Sequence, residues 1–303
     1  MNTSYTARRR FTVTTFVIAI VLLAWGAFVT SINAGLAVPD WPSSFDSYDP
    51  FNPWPNWWTV TPVLAEHGHR LLGALIGMLT VVLGIWTWLA DDRIWLRRLA
   101  IGAILLVITQ GVLGGLRVVW VSLNLAVVHA LVAQLFFALL VSMALFVSKS
   151  WRTPEASTFN TRHAEGLSPL LVLAPAAVYI QIFFGALLRH PGTGLDPLLA
   201  GLHFGWAFVA TSFVVVFWTR SRASFTRQST GRRMANTMLG VLIVQVSIGL
   251  FAYLVLLDET GTIQPSNVQV IANTAHMVIG ALLFASTVAT SVLCARYRAT
   301  TIR

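Results

Sequence analysis

Eight apolar runs, each long enough to cross a hydrocarbon core of about 30 Å, leave this chain few folds to choose from. They fall at 11–33, 64–90, 95–117, 124–148, 168–189, 198–219, 234–257 and 268–295. Inside lipid a segment must satisfy its own backbone N–H and C=O groups, which a helix does alone. Of the 303 residues 56% are hydrophobic and only 10% charged, against about a quarter charged in soluble domains. The predicted fold class is therefore all-α and integral to the membrane, with eight transmembrane helices.

The net charge of +9 follows that topology. Of the 20 basic residues, all but Arg70, Arg117 and Arg189 lie before the first run, after an even-numbered run, or at the C-terminal end. Alternating spans put that majority on one face, and the positive-inside rule makes it the cytoplasm, with both termini there. Asp40, Asp46, Asp49, Asp196, Asp258 and Glu259 fall on the opposite face. The basic excess is thus a topology signal, and nucleic-acid binding is not expected. The first run is too long for the core of a signal peptide, and Asn33-Ala34-Gly35 is a poor cleavage site, so it is expected to be retained. Cys294 is the single cysteine, so no disulfide can form within the chain. The short N-terminal arm favours a prokaryotic plasma membrane.

The two halves of the chain resemble each other. Gly26-Ala27 and Gly35-Leu36 around the end of the first helix recur as Gly185-Ala186 and Gly194-Leu195 after the fifth. Gln110-x-x-x-Gly114 of the third helix recurs as Gln245-x-x-x-Gly249 of the seventh. Such a repeat, four helices apart, is parallel, its copies related by an axis along the membrane normal. The expectation is two pseudo-symmetric four-helix bundles, 1–152 and 153–303, joined by a polar linker around Asn160 to Ser168. Small residues suited to close packing recur in any polytopic protein; they do not account for the register of the histidines.

His69, His129, His203 and His276 sit at nearly the same depth in the four even-numbered helices. Ionisable groups at such positions are costly and functional by default. Imidazole is a good axial ligand for haem iron, and two on facing helices can grip one macrocycle from opposite sides. Four of them point to two haem sites, with His69 pairing His129 and His203 pairing His276. Buried histidines bonded to a neighbouring helix are the plain structural alternative. A zinc or copper site fits less well, because histidines split between two bundles do not converge on one small ion.

Within Glu66-His67-Gly68-His69-Arg70, the three- and four-residue spacing puts Glu66, His69 and Arg70 on one helix face. His67 points elsewhere and is the lesser candidate. The second copy has Ala200 in place of Glu66 and Phe204 in place of Arg70. That asymmetry suggests chemistry in the first bundle and a permanent cofactor in the second; a simple Glu66–Arg70 ion pair at the membrane boundary is the alternative. Arg117 and Arg189, at the outer ends of their helices, suit porphyrin propionates, unless they only snorkel to the interface. Gln110, Gln181 and Gln245 are expected to donate hydrogen bonds between helices or to line the cavities. His163 and His190 are given no role. The Trp- and Pro-rich stretch 37–62, with Trp41, Trp54, Trp57 and Trp58, reads as an interfacial anchor that could also cover the first cavity.

These residues resemble those of the haem A synthase family of cytochrome oxidase assembly enzymes. The matching pieces are Gly35-Leu36-Ala37-Val38-Pro39-Asp40-Trp41-Pro42, then Glu66-x-x-His69-Arg70, and Gln110-Gly111-Val112-Leu113-Gly114-Gly115-Leu116-Arg117-Val118, with the three further helical histidines. The resemblance implies oxidation of a methyl group of haem O to a formyl group in successive steps. It implies His69 and His129 as axial ligands of the substrate haem O, and His203 and His276 as ligands of a haem b cofactor. Glu66 is then catalytic, as an electrostatic stabiliser or a proton relay, and Arg70, Arg117 and Arg189 are cofactor-binding candidates. Implied partners are an electron donor, the lipid membrane, haem O synthase and oxidase assembly factors. Some members carry a cysteine pair in the first outer loop; Ala34 to Val63 has none, so an outer-loop thiol relay is ruled out here. A non-enzymatic dihaem electron-transfer cytochrome and a haem carrier or assembly scaffold are the competing functions. Neither gives a reason for Glu66 in only one half.

Overall fold

A computed structural model of the chain describes residues 3–52, 56–154, 156–160, 164, 166–189, 196–258 and 265–301. The long helices are α1 (Thr3–Ser31), α2 (Thr61–Ala90), α3 (Ile94–Val119), α4 (Leu123–Phe146), α6 (Leu167–Arg189), α7 (Pro197–Ser224), α8 (Thr230–Asp258) and α9 (Asn267–Thr301). A single turn, α5 (Lys149–Arg152), follows α4. All eight long helices are apolar and long enough to cross a membrane, in agreement with the eight predicted spans. The chain is a multi-pass membrane protein. Among the described residues the only β-pairing is two isolated bridges, Ser44 with Ser47 and Phe159 with Phe225.

Local chemistry sets the helix ends. Proline within the first two positions of α2 removes an N–H that would have no helical partner. Pro197 does the same for α7, where the Asp196 carboxylate caps the first turn by accepting from Leu198 N at 2.8 Å and Leu199 N at 2.9 Å. Gly166, just before α6, has φ +74°, a conformation that glycine reaches without the Cβ penalty. Helix α1 begins earlier than the apolar run that predicts it. Its first turns are anchored by Arg8, whose Nη2 lies 2.7 Å from Asp91 Oδ2 in a buried ion pair.

By contact the chain forms two compact units: residues 1–136 with 247–278, and residues 137–246 with 279–303. In the first unit, Asp91 is the hub of the turn between α2 and α3. Besides Arg8, it accepts from Arg93 Nε at 2.8 Å and Arg93 Nη2 at 2.8 Å, and its carbonyl accepts from Arg97 Nε. Burial pushes the Asp91 carboxyl up, but the hydrogen bonds and charge of Arg93, joined by Arg8, hold it well below the usual carboxylate range.

In the second unit the packing is aromatic. Phe217, Val214, Leu167, Met238 and Leu293 are buried in its core. The linker segment docks through Phe159, whose ring lies 5.0 Å from Phe225, with Tyr297 5.2 Å from Phe225. Backbone bonds from Asn160 N to Ser224 O at 2.8 Å and from Thr226 N to Thr158 O at 2.9 Å fix the segment. A buried aromatic plug thus sits immediately before the polar linker that begins at Asn160.

Candidate functional site

Each of the four helical histidines rests on a glycine of the preceding long helix. A methyl group built on Gly26 of α1 would stand 2.8 Å from His69 Cε1, and one on Gly114 of α3 would stand 3.2 Å from His129 Cε1. The corresponding distances are 3.0 Å from Gly185 of α6 to His203 and 2.6 Å from Gly249 of α8 to His276. Each imidazole thus occupies, or crowds, the volume an alanine side chain would need. These are the same glycines that mark the duplication in the sequence, where they read as packing residues. Their role as imidazole seats went unread. The available signal was a glycine on the preceding helix at the depth of each histidine.

One helical turn before three of the four seat glycines stands a glutamine, on the same helix face. Gln110 Nε2 donates to His129 O at 3.1 Å. Gln181 Nε2 donates to His203 O at 3.0 Å, and the same nitrogen lies 3.1 and 3.3 Å from the two ring nitrogens of His203. The Gln245 amide packs against Gly280, one turn beyond His276, 3.2 Å from where a methyl would stand there. The sequence pattern had linked Gln110 with Gln245; Gln181-x-x-x-Gly185 is a third copy. The first helix departs from it, with Leu22 one turn before Gly26. The buried Nδ1 of His69 has no hydrogen-bond partner.

Glu66 and Arg70 lie on one face, as their spacing predicts, and fasten the connection between α1 and α2. Arg70 Nη2 donates to Glu66 Oε1 at 3.1 Å and to Val38 O at 3.0 Å. Its Nη1 reaches Asp40 O at 2.7 Å and Ser43 O at 3.2 Å. Glu66 Oε2 accepts from Val38 N at 2.9 Å, so both carboxylate oxygens are engaged. The Glu66 side chain is buried, at 5% exposed, so its charge is held by these donors and not by water.

The same connection is tied to α3. Arg117 Nη2 donates to Gly35 O at 2.5 Å, and the guanidinium fills the space a Cβ on Gly35 would take. The Trp41 indole lies where a Cβ on Gly115 would be. Asp40 closes the turn by accepting from Ser43 Oγ at 2.5 Å, Phe45 N at 2.7 Å and Asp46 N at 2.9 Å. Burial works against its charge, but these donors, with Ser43 first, hold its carboxyl below the usual range. His67 Nε2 lies 2.7 Å from Pro50 O, and the His67 ring meets Trp57 edge-on at 4.9 Å. His67 is therefore a loop anchor. Of the loop tryptophans, Trp41 packs on α3 and Trp57 on His67, while Trp58 is exposed; Trp54 lies outside the described residues.

Electrostatically, Glu66 and Arg70 both act on Arg117, and Arg117 and Arg70 both act on His69. His69, Glu66, Arg70 and Arg117 thus form one neighbourhood in the first unit, which also holds His129 on its seat. Arg189 ends α6. His163 and His190 lie outside the described residues.

Among the described residues no three metal-ligating side chains gather in one place. Isolated imidazoles, each on a seat that fixes its ring, suit a ligand that brings its own equatorial donors, as a porphyrin does. The partnerless Nδ1 of His69 and the cradles under all four rings fit that group. Cationic Arg117 beside His69 adds a donor for an anionic substituent.

Residues 58–197 match a family described as cytochrome oxidase assembly protein. The chain is similar to a protein named Heme A synthase from Symbiobacterium thermophilum, 29% identical over 259 residues, 76% of this chain and 81% of that one. It is also similar to proteins of the same name from Alkalihalophilus pseudofirmus, 24% identical over 78% of this chain and 86% of that one, and Halalkalibacterium halodurans, 26% identical over 69% and 74%.

Proposed function

We propose that this chain, a relative of proteins named Heme A synthase, converts haem O to haem A in cytochrome oxidase assembly by oxidising one methyl substituent to a formyl group. The observation that carries the reading is the set of four imidazoles, each on its own glycine seat, in a chain similar to those proteins over most of its length. Taking a methyl to a formyl group removes four electrons and adds one oxygen atom. The enzyme is therefore an oxidoreductase that needs an external oxidant and an oxygen source, with the implied electron donor as a redox partner. Its expected neighbours are haem O synthase and the oxidase assembly factors. The excess of basic residues after α2, α4, α7 and α9 supports an orientation in which both termini are cytoplasmic, and the plasma membrane is the proposed location.

His69 and His129 would hold haem O as substrate, and His203 and His276 would hold a resident haem b. The sequence halves 1–152 and 153–303 would be the two copies of the duplicated unit. Bound haem b would supply one-electron chemistry; the chain's own residues bind, orient and shield. Arg117 and Arg189 are proposed partners for propionates. Arg70 would serve the first haem chiefly through the connection it holds, because Val38, Asp40 and Ser43 already take its donors. That connection, pinned by Glu66, Arg70, Arg117 and Trp41, would exclude bulk water from the reacting methyl.

Glu66 is the proposed catalytic residue. Arg70 and the Val38 N–H already donate to its two oxygens. A carboxylate fixed this way is arranged to stabilise positive charge developing on the reacting carbon, which supports the electrostatic role over a proton relay. The test is pigment extraction from membranes expressing the chain with a haem O supply. Wild type should yield haem A, and Glu66→Gln should keep haem b while haem O or a partly oxidised haem accumulates. Haem b with no oxidised product in wild type would favour an electron-transfer cytochrome instead.

A further inference from the structure

Trp25 and His69 interlock across the α1–α2 pair. His69 of α2 rests on Gly26 of α1, and the residue beside that glycine, Trp25, rests on Gly68 of α2, where a methyl would stand 3.0 Å from its Cζ2. The indole also donates from Nε1 to Ala65 O at 2.8 Å. That carbonyl is the one that the His69 N–H reaches within the helix. Trp25 packs besides against the buried cluster of Val29, Ala34 and Ala65. Glu66 lies between the two residues that Trp25 touches, so one indole fixes the helical turn that carries both the carboxylate and the imidazole. It fixes that turn to α1, and α1 leads into the connection whose Val38 N–H and Asp40 O hold Glu66 and Arg70.

The α6–α7 pair lacks this device. Phe184 stands where Trp25 does and Leu202 where Gly68 does; a phenyl ring has no donor, and a leucine side chain fills the slot. That pair has an indole bond of its own, from Trp206 Nε1 to Ala177 O at 2.9 Å. It comes from the other helix and lands about 12 Å along α6 from the Gly185 seat. The indole in its slot thus occurs in the half that also carries Glu66.

We propose that Trp25 is a positioning residue for the oxidation, setting the reach of Glu66 to the methyl of a haem held on His69. This rests on the proposed reading that the first haem is the substrate. The carboxylate acts over a fixed distance on the reacting carbon, where a shift of about 1 Å can cost a hundredfold in rate. His69 and His129 hold the haem itself, so its binding does not depend on the indole.

The test uses the full chain in membranes supplied with haem O. Trp25→Phe removes the donor and keeps an aromatic ring, whereas Gly68→Ala keeps the donor and pushes the ring. Each should retain haem b and the first-site haem at wild-type content and shift the low-spin electron paramagnetic resonance signal of the first haem alone. Each should also lower haem A about ten- to a hundredfold, as haem O or partly oxidised haem accumulates. The double variant should lose little more than Trp25→Phe, because both changes act through one contact. Wild-type haem A output from both single variants would overturn the proposal. So would loss of the first-site haem from both, which would make Trp25 a residue of the fold alone. A wild-type chain that makes no haem A would overturn the underlying reading instead.

Discussion

The helix pairs α1–α2 and α6–α7 each seat a histidine on a glycine, yet they are held by different forces. Around His69 the chain uses charge: Glu66 and Arg70 clamp Val38 and Asp40, and at the far end of the pair Arg8 and Arg93 close on Asp91. Around His203 it uses an amide, Gln181, and at the far end the Phe159–Phe225–Tyr297 aromatic plug. Ala200 and Phe204 stand where Glu66 and Arg70 do. The difference teaches that the same imidazole seat can be kept while the chemistry around it differs. The charged copy fixes a covering loop and a carboxylate near its histidine; the uncharged copy grips the histidine itself.

The sharpest way to break that comparison is at Glu66. Glu66→Gln should cut formyl product by about a hundredfold or more, the scale of losing an oriented electrostatic group, while Ala200→Glu in the other copy creates no second activity; extracted pigments report both. Next comes the seat series. Gly249→Ala and Gly26→Ala, with methyls 2.6 and 2.8 Å from imidazole, should reduce low-spin haem most, Gly185→Ala at 3.0 Å less, and Gly114→Ala at 3.2 Å least. Equal losses across the four would show that the seats do not work by steric fit.

At the far ends, Asp91→Asn should cost about 3–5 kcal/mol by stranding a buried Arg8, and Phe159→Ala a similar amount through a lost aromatic plug; denaturant unfolding in detergent measures both. The smallest effect separates the two pairs by pH. The Asp91 carboxyl lies below its ordinary value of 3.8 in the folded chain, so its contribution is complete above that value and lost as pH falls through the lower one. Wild type should lose stability as pH falls below about 3.8 more steeply than Asp91→Asn, whereas Phe159→Ala should keep the wild-type slope.

The spans were legible because eight apolar runs in lipid admit one local answer. The Glu66–His69–Arg70 face was legible because helical spacing alone fixes it. Helix α1 runs further back than its apolar run because Arg8 finds Asp91, a partner 83 positions away that no local pattern announces. The same holds for the Gly35–Arg117 contact, 82 positions apart, and for Trp41, whose burial on Gly115 looks in sequence like one more interfacial tryptophan. His67 was the lesser candidate by its angle on the helix, and its contact with Pro50 depends on how the loop returns. The glycines were seen and misread, since close packing and a cradle for imidazole leave the same residue in the sequence.

The most direct test is the haem inventory of the full chain purified from membranes supplied with haem O, compared with a variant lacking both His69 and His129. The account predicts haem b together with haem O or haem A in the wild type, and haem b alone in the double variant. Loss of haem b from that variant, or oxidised haem persisting in it, would contradict a substrate site built on these two histidines.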